Sequence, residues 1–160
     1  MKYLKYTTML LLLALFSCDL GSEPAVGGTK VQAMAGEWWI NVLVDGTDIG
    51  AGFNLIRTSN TAANTDSDLL LDDRRLWPAK IKAKVDLAAL TFTPATNLDN
   101  LYSGTIKVSI IEGKILKGAA TTPGLNKTDS IYVKFEFSDD PGTQYEYAGY
   151  RRTGFQEDEH

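Results

Sequence analysis

Residues 80–86 read Lys-Ile-Lys-Ala-Lys-Val-Asp, and this strict two-residue period is the strongest constraint on the fold. Lys80, Lys82 and Lys84 fall on one face and Ile81, Ala83 and Val85 on the other, because successive side chains of an extended strand point to opposite sides. One face of the segment therefore meets water while the other meets a core. The period returns in Ile106, Val108 and Ile110 against Lys107 and Ser109. It returns again in Ile131, Val133, Phe135 and Phe137 against Tyr132, Lys134 and Glu136. Further strands are predicted over 37–44, 50–60, 68–72, 90–93 and 144–152. Asp45-Gly46 and Glu112-Gly113 have the composition of tight hairpin turns, the second joining 109–111 to 114–116. Only residues 31–35 suit a short helical turn; no stretch has a 3.6-residue apolar stripe of helix length.

Eight or nine antiparallel strands in residues 35–160 leave two exposed sheet edges unless the sheet closes, so a barrel is the economical architecture. A barrel of this size either fills with side chains or holds one small ligand. A two-sheet sandwich is the alternative. The expected fold class is thus all-β.

The N-terminus has a different character. Lys2 and Lys5 precede an apolar run from Met9 to Phe16, which ends in Leu15-Phe16-Ser17-Cys18. The run falls short of the roughly 20 apolar residues that span a bilayer. A basic start, a short apolar core and a small residue before the cut are the parts of a secretory signal. A cysteine directly after the cut is a lipidation site. Residues 1–17 are therefore expected to be removed as a lipoprotein signal peptide. Cys18 is expected to carry the acyl chains that hold the protein on a membrane without crossing it. Acidic Asp19 and Glu23 follow closely, a pattern used for inner-membrane retention in enteric lipoproteins and for outer-membrane export in Bacteroidetes-type ones. Residues 18–34, with Pro24 and Gly27-Gly28, read as a flexible tether.

Of 160 residues, 143 follow residue 17, enough for one domain with a core. They hold 14 basic and 20 acidic side chains, a formal charge of −6, which disfavours nucleic acid as a partner. Once Cys18 is acylated no thiol remains for a disulfide or a thiolate metal site.

Gly36-Glu37-Trp38 opens the first strand and Arg151-Arg152 closes the last, which resembles the lipocalin and calycin pattern of a tryptophan packed under a late arginine. Alternation places Arg151 on the face of Tyr145, Tyr147 and Gly149, so Arg151 is expected to stack on Trp38 and close the barrel, barring a bulge that shifts the register. More specifically, the chain resembles the lipid-binding putative hydrolase family of Bacteroidetes lipoproteins. The segments that carry this are Gly36 to Trp39, Asn60-Thr61-Ala62-Ala63-Asn64-Thr65-Asp66, Asp129-Ser130-Ile131-Tyr132, Phe135-Glu136-Phe137-Ser138-Asp139-Asp140-Pro141-Gly142 and Gly149-Tyr150-Arg151-Arg152-Thr153-Gly154-Phe155. The resemblance implies a lipocalin-like barrel on the cell envelope, and the expected localisation of the lipid-anchored protein is the outer membrane. The hydrolase label brings no residue motif to this chain.

Catalytic constellations find little support. The one histidine, His160, ends the chain behind Glu157-Asp158-Glu159, where a frayed terminus is expected, and no Gly-x-Ser-x-Gly or Ser-x-x-Lys motif occurs. Asp72-Asp73 and Asp139-Asp140 are neighbours in sequence, so on a strand they diverge, and Asp139-Asp140-Pro141-Gly142 has the chemistry of a β-turn. Neither a catalytic residue nor a metal or cofactor site is assigned. The aromatic side chains Trp38, Phe53, Trp77, Tyr102, Phe135, Tyr145 and Tyr147 are the candidates for lining an apolar cavity. Trp39 points outward by alternation, either as a docking patch or under the N-terminal segment. The expected function is a membrane-anchored barrel that binds a small apolar or amphiphilic, lipid-like molecule. An accessory subunit of an envelope or nutrient-uptake complex and a weak hydrolase are the alternatives.

Overall fold

The computed structural model describes residues 28–74 and 76–160. The signal, Cys18 and most of the tether lie outside the described residues. Ten strands follow in order: β1 (Gly36–Val44), β2 (Thr47–Asp48), β3 (Asn54–Asn60), β4 (Asp68–Asp72), β5 (Lys80–Asp86), β6 (Thr91–Phe92), β7 (Ala95–Asn100), β8 (Ser103–Thr121), β9 (Lys127–Phe137) and β10 (Tyr145–Arg151). Every pairing is antiparallel. Strand β10 returns to β1 over seven residue pairs, from Trp38↔Arg151 to Val44↔Tyr145, and closes the sheet. The result is an eight-stranded barrel in the order β1-β3-β4-β5-β7-β8-β9-β10, with β2 and β6 as two-residue additions. Closure removes the edges that a sandwich would keep. Among the described residues the one helical element after the strands is a 3₁₀ turn, Gln156–Asp158, and no helix is long and apolar enough to cross a membrane.

Alternation sets the core directly. In β5, Ile81, Ala83 and Val85 are buried and Lys82, Lys84 and Asp86 exposed; in β9, Ile131, Val133, Phe135 and Phe137 point inward. Each fully buried aliphatic or aromatic side chain stabilises by roughly 1.5–3 kcal/mol relative to exposure. Trp38, Tyr147, Phe92, Phe135, Phe137 and Met34 are the bulkiest fully buried groups of the core. Met34 and Val31, both fully buried, come from one helical turn fixed by hydrogen bonds from Met34 N–H and Ala35 N–H to the Val31 carbonyl, 2.9 and 3.0 Å. Residues 31–34, read as the end of the tether, thus pack against the barrel core.

Asp45 and Gly46 form the expected β1–β2 turn, both at positive φ (48° and 78°), as a two-residue hairpin loop requires. Glu112-Gly113 does not turn. Strand β8 runs 19 residues through it, unbroken. Gly113 is small for a different reason: a Cβ there would lie 2.8 Å from Cδ2 of the buried Phe92. A bulge between Ile110 and Glu112 also moves the inward positions from Val108 and Ile110 to Gly113 and Ile115, which interrupts the alternation and imitates a break. The strand expected to begin at residue 50 begins at 54, after Gly50 and Gly52 at φ 71° and 69°. Strand β7 lies outside the strands that the sequence pattern predicts. It contains Asn97 at φ 56° and two register shifts against β8, so it lacks a clean period.

Candidate functional site

The two ends of the barrel differ. At the base, the Arg151 guanidinium lies 4.6 Å from the Trp38 ring centre. Its Nη1 donates to the Ala35 carbonyl (2.8 Å) and its Nε stands 3.1 Å from Asp129 Oδ2. Gly36 sits beneath it, where a Cβ would come within 2.9 Å of Nη1. Trp38 Nε1 donates to Thr58 Oγ1 (2.8 Å), and that hydroxyl donates to the Met34 carbonyl (2.6 Å), so the entry turn, β1 and β3 are tied at one point. Burial acts to raise the Asp129 carboxyl. Hydrogen bonds from Lys117 and the Gly118 N–H, with the charges of Lys117 and Arg151, outweigh it and hold the group below the usual carboxylate range. The base is therefore a sealed, charge-compensated plug.

At the opposite end, loops 73–79, 101–102 and 138–144 surround the mouth. Asp73, only 1% exposed, organises the first of them: its Oδ2 accepts the Trp77 N–H (2.9 Å) and the Tyr147 hydroxyl (3.0 Å), while its own N–H donates to the Ala79 carbonyl (3.0 Å). Burial first, then the Asp73 charge and hydrogen bond, push the Tyr147 phenol far above its ordinary range, so it stays a donor. Trp77 is presented over the mouth, 46% exposed, with its ring 5.1 Å from that of Tyr145. Tyr145 in turn meets Phe137 edge-on at 5.2 Å and donates to Asp140 Oδ2 at 2.7 Å. Burial, with that bond, raises Tyr145 to about 12.

Between these groups lies a pocket of about 300 Å³, lined by Trp77, Pro78, Tyr102, Ser103, Ile106, Phe137 and Asp139. That volume is at the lower limit of small-molecule sites. Its walls are mainly apolar. Tyr102 is fixed by donation to Asp72 Oδ1 (2.8 Å), and Asp72 also pairs with Lys80 at 3.1 Å. Asp72 and Asp73 thus face different partners and do not converge.

A family model described as lipid-binding putative hydrolase matches residues 23–156. The chain belongs to this family. A search of curated proteins finds no match. The mainly apolar mouth is one feature of the described residues compatible with the family's lipid-binding description.

The seven aromatic candidates separate by position. Trp77 and Tyr102 line the mouth pocket, and Tyr145 backs it through Trp77 and Phe137. Phe135 and Tyr147 lie deeper as packed core, their rings 4.7 Å apart. Trp38 belongs to the base. Phe53 is outside the barrel, stacked on His160 at 4.0 Å. Three lining groups carry no signal in the alternation: Pro78, Ser103 and Asp139 sit in or beside turns. The Trp77-Pro78 pair between two alternating segments is the one local hint, an aromatic placed where a core residue cannot be.

A second depression, about 340 Å³, lies on the outer wall between Leu70, Lys82, Leu98, Asp99 and Leu101. It forms where β5 and β7 share a single pair, Ile81↔Asn100.

The C-terminus is ordered, contrary to the expectation of fraying. Asp158 is fully buried and accepts from the Gly124 N–H (2.9 Å), Asn126 Nδ2 (3.1 Å) and the Thr153 hydroxyl (2.6 Å). Burial acts to raise its carboxyl, but these bonds and one from Thr122 hold it at about 2. Arg152 bridges Glu37 and Glu159 at 2.8 and 2.7 Å. His160 packs edge-on against Trp39 at 5.4 Å and hydrogen bonds with the Tyr150 hydroxyl. Trp39 is accordingly 8% exposed, and among the described residues the C-terminal segment packs against it.

Proposed function

We propose that this protein is a lipid-anchored lipoprotein of the cell envelope, of Bacteroidetes type and at the outer membrane, whose barrel takes a small apolar or amphiphilic ligand at its mouth. The observation that carries the ligand reading is the pocket of about 300 Å³ against Trp77, Ile106 and Phe137, at the mouth end of the strands. The family's lipid-binding description supports the same ligand class. The anchor rests on Leu15-Phe16-Ser17-Cys18 and on the acidic residues behind it.

Binding without turnover is the chemistry proposed. Ser103 is the one hydroxyl of serine or threonine lining the pocket, and its Oγ accepts the Ile106 N–H (3.2 Å) and lies 3.3 Å from Thr105 Oγ1. The sequence's one histidine is held on the outer wall by Trp39, Phe53 and Tyr150, so no imidazole is available to a nucleophile at the mouth. A core built of bulky buried side chains also suits an accessory subunit of an envelope complex; the mouth pocket is what favours the binding reading.

The test uses the purified full chain and single-chain amphiphiles. Of its three tryptophans, Trp38 and Trp39 are buried and Trp77 is exposed, so Trp77 is the reporter. A saturable change in emission is expected that vanishes in Trp77→Phe, and Ile106→Trp, which fills the pocket, should weaken binding about tenfold, or about 1.4 kcal/mol. Absence of binding by every amphiphile would favour the accessory subunit, and ester turnover lost on mutating a pocket residue would favour the hydrolase.

A further inference from the structure

The pocket-lining residues include one charged side chain, Asp139. It stands next to Asp140 in the β9–β10 turn, but the two carboxylates differ: Asp140 accepts the Tyr145 hydroxyl, whereas Asp139 makes no hydrogen bond or ion pair among the described residues. A turn aspartate commonly spends its carboxylate on a nearby backbone N–H. Here Asp45, Asp48, Asp72 and Asp86 do so, accepting from Gln144, Gly50, Arg74 and Ala88. Asp139 is left to face the pocket.

Its company is aromatic. Trp77 presents a half-exposed ring to the mouth, and Tyr102 and Phe137 line the same space. Aromatic faces attract cations, most strongly tryptophan and tyrosine, and cages of such rings recognise quaternary ammonium groups. The Tyr102 ring already has the Lys80 ammonium 5.8 Å from its centre, so the cation-attracting character of this wall is used within the protein itself. That lysine is compensated by Asp72 at 3.1 Å. An anionic head in this pocket would meet the Asp139 carboxylate with no cation among the described lining residues to offset it, a like-charge juxtaposition that selects against it.

We infer that the ligand of the mouth is a cationic amphiphile, carrying a quaternary ammonium or protonated amine at Asp139 and Trp77 and an apolar tail against Ile106 and Phe137. This rests on the proposed binding function and adds the charge of the head to it. Plain fatty acids, the simplest lipid-like probes, are then poor ligands for this site.

The experiment compares four probes on the purified full chain, each read as the Trp77-dependent change in fluorescence so that binding at the outer-wall depression does not contribute. The probes are hexyltrimethylammonium, hexanoate, 1-hexanol and tetramethylammonium. The expected order places hexyltrimethylammonium at least tenfold tighter than hexanoate, with hexanol between them and tetramethylammonium at least tenfold weaker than its hexyl analogue. Asp139→Asn should bring the ammonium and the carboxylate to within about threefold of each other. A second variant, Trp77→Leu, followed by competition with an environment-sensitive neutral probe, should weaken the ammonium more than hexanol and so lower the preference between them. Hexanoate binding as tightly as the ammonium, or a preference unchanged in both variants, overturns the cationic head while leaving the binding function standing. Equal affinity of tetramethylammonium and its hexyl analogue overturns the amphiphile. If no probe, hexanol included, alters Trp77, the binding function itself fails and the inference falls with it.

Discussion

Trp38 ties several parts of this fold together, because it is at once a large, fully buried group, a hydrogen-bond donor to Thr58 and the platform for Arg151. Removing the indole leaves a cavity and strands a guanidinium, so Trp38→Ala should destabilise by roughly 3–5 kcal/mol. Arg151→Ala removes the same contact from the other side. Their effects should therefore be less than additive by roughly 0.5–3 kcal/mol, measured by denaturant unfolding of both single mutants and the double mutant. Strict additivity would mean that the stack contributes nothing. Arg152, on the outer face in ion pairs that are partly exposed, should cost no more than about 1 kcal/mol when cut to alanine. Gly113 tests a different point at the same scale. A turn glycine would tolerate asparagine, but Gly113 lies inside β8 against Phe92, so even alanine must displace a packed ring. Gly113→Ala should cost about 1–3 kcal/mol through overpacking, and a neutral effect would argue against the unbroken strand.

The C-terminal segment is the element whose contribution the sequence hid best. Its acidic composition, Gln156-Glu157-Asp158-Glu159, reads as solvated, yet Asp158 is buried by donors from residues 122–126 and from Thr153. The Asp158 carboxyl lies at about 2 in the folded protein against an ordinary 3.8, so the folded state binds the proton less readily than the unfolded chain. The contribution to stability is then fully present above about pH 4 and is lost as the pH falls towards 2. An acid titration followed by Trp39 emission should show the clasp loosening in that window, and Asp158→Asn should remove the acid phase. Strands differ in legibility for an equally local reason. Segment β5 matches its expected limits because one face is wet and one buried without interruption, and β4 matches its limits through its run of three leucines between two aspartates, although Asp68 and Leu69 are both buried. The bulge in β8 and the irregular register of β7 shift side chains between faces, so the period that identifies a strand is lost where pairing persists. The site was legible only in part. Trp77 and Tyr102 could be named as aromatic, but Asp139 looks like any turn aspartate until the missing hydrogen bond and the neighbouring pocket are seen together.

The whole molecule has a polarity that links the proposed anchor to the proposed site. The chain enters at the base, where Lys30 N–H donates to Asn64 Oδ1 (2.9 Å) and residues 31–34 pack beneath Trp38, while the pocket opens at the other end of the strands. Ten residue steps separate Cys18 from Gly28, which gives a tether of at most about 33–36 Å when fully extended. An anchor on Cys18 would therefore pull on the closed end, and the mouth would face away from the bilayer. The ligand would then arrive from the aqueous side or from a partner, not by lateral passage out of the anchoring leaflet. Two measurements on the full chain follow. Cys18→Ala should abolish incorporation of a fatty-acid probe and release the protein from the membrane fraction or leave it uncleaved, with the barrel's unfolding midpoint unchanged; continued labelling would refute the anchor. With the acylated protein on vesicles, the Trp77-dependent emission should be quenched by a water-soluble quencher and spared by brominated lipids, since Trp77 is the tryptophan exposed at the distal end. Strong quenching by the lipid would place the mouth against the bilayer, and ligand exchange with the membrane would then be direct.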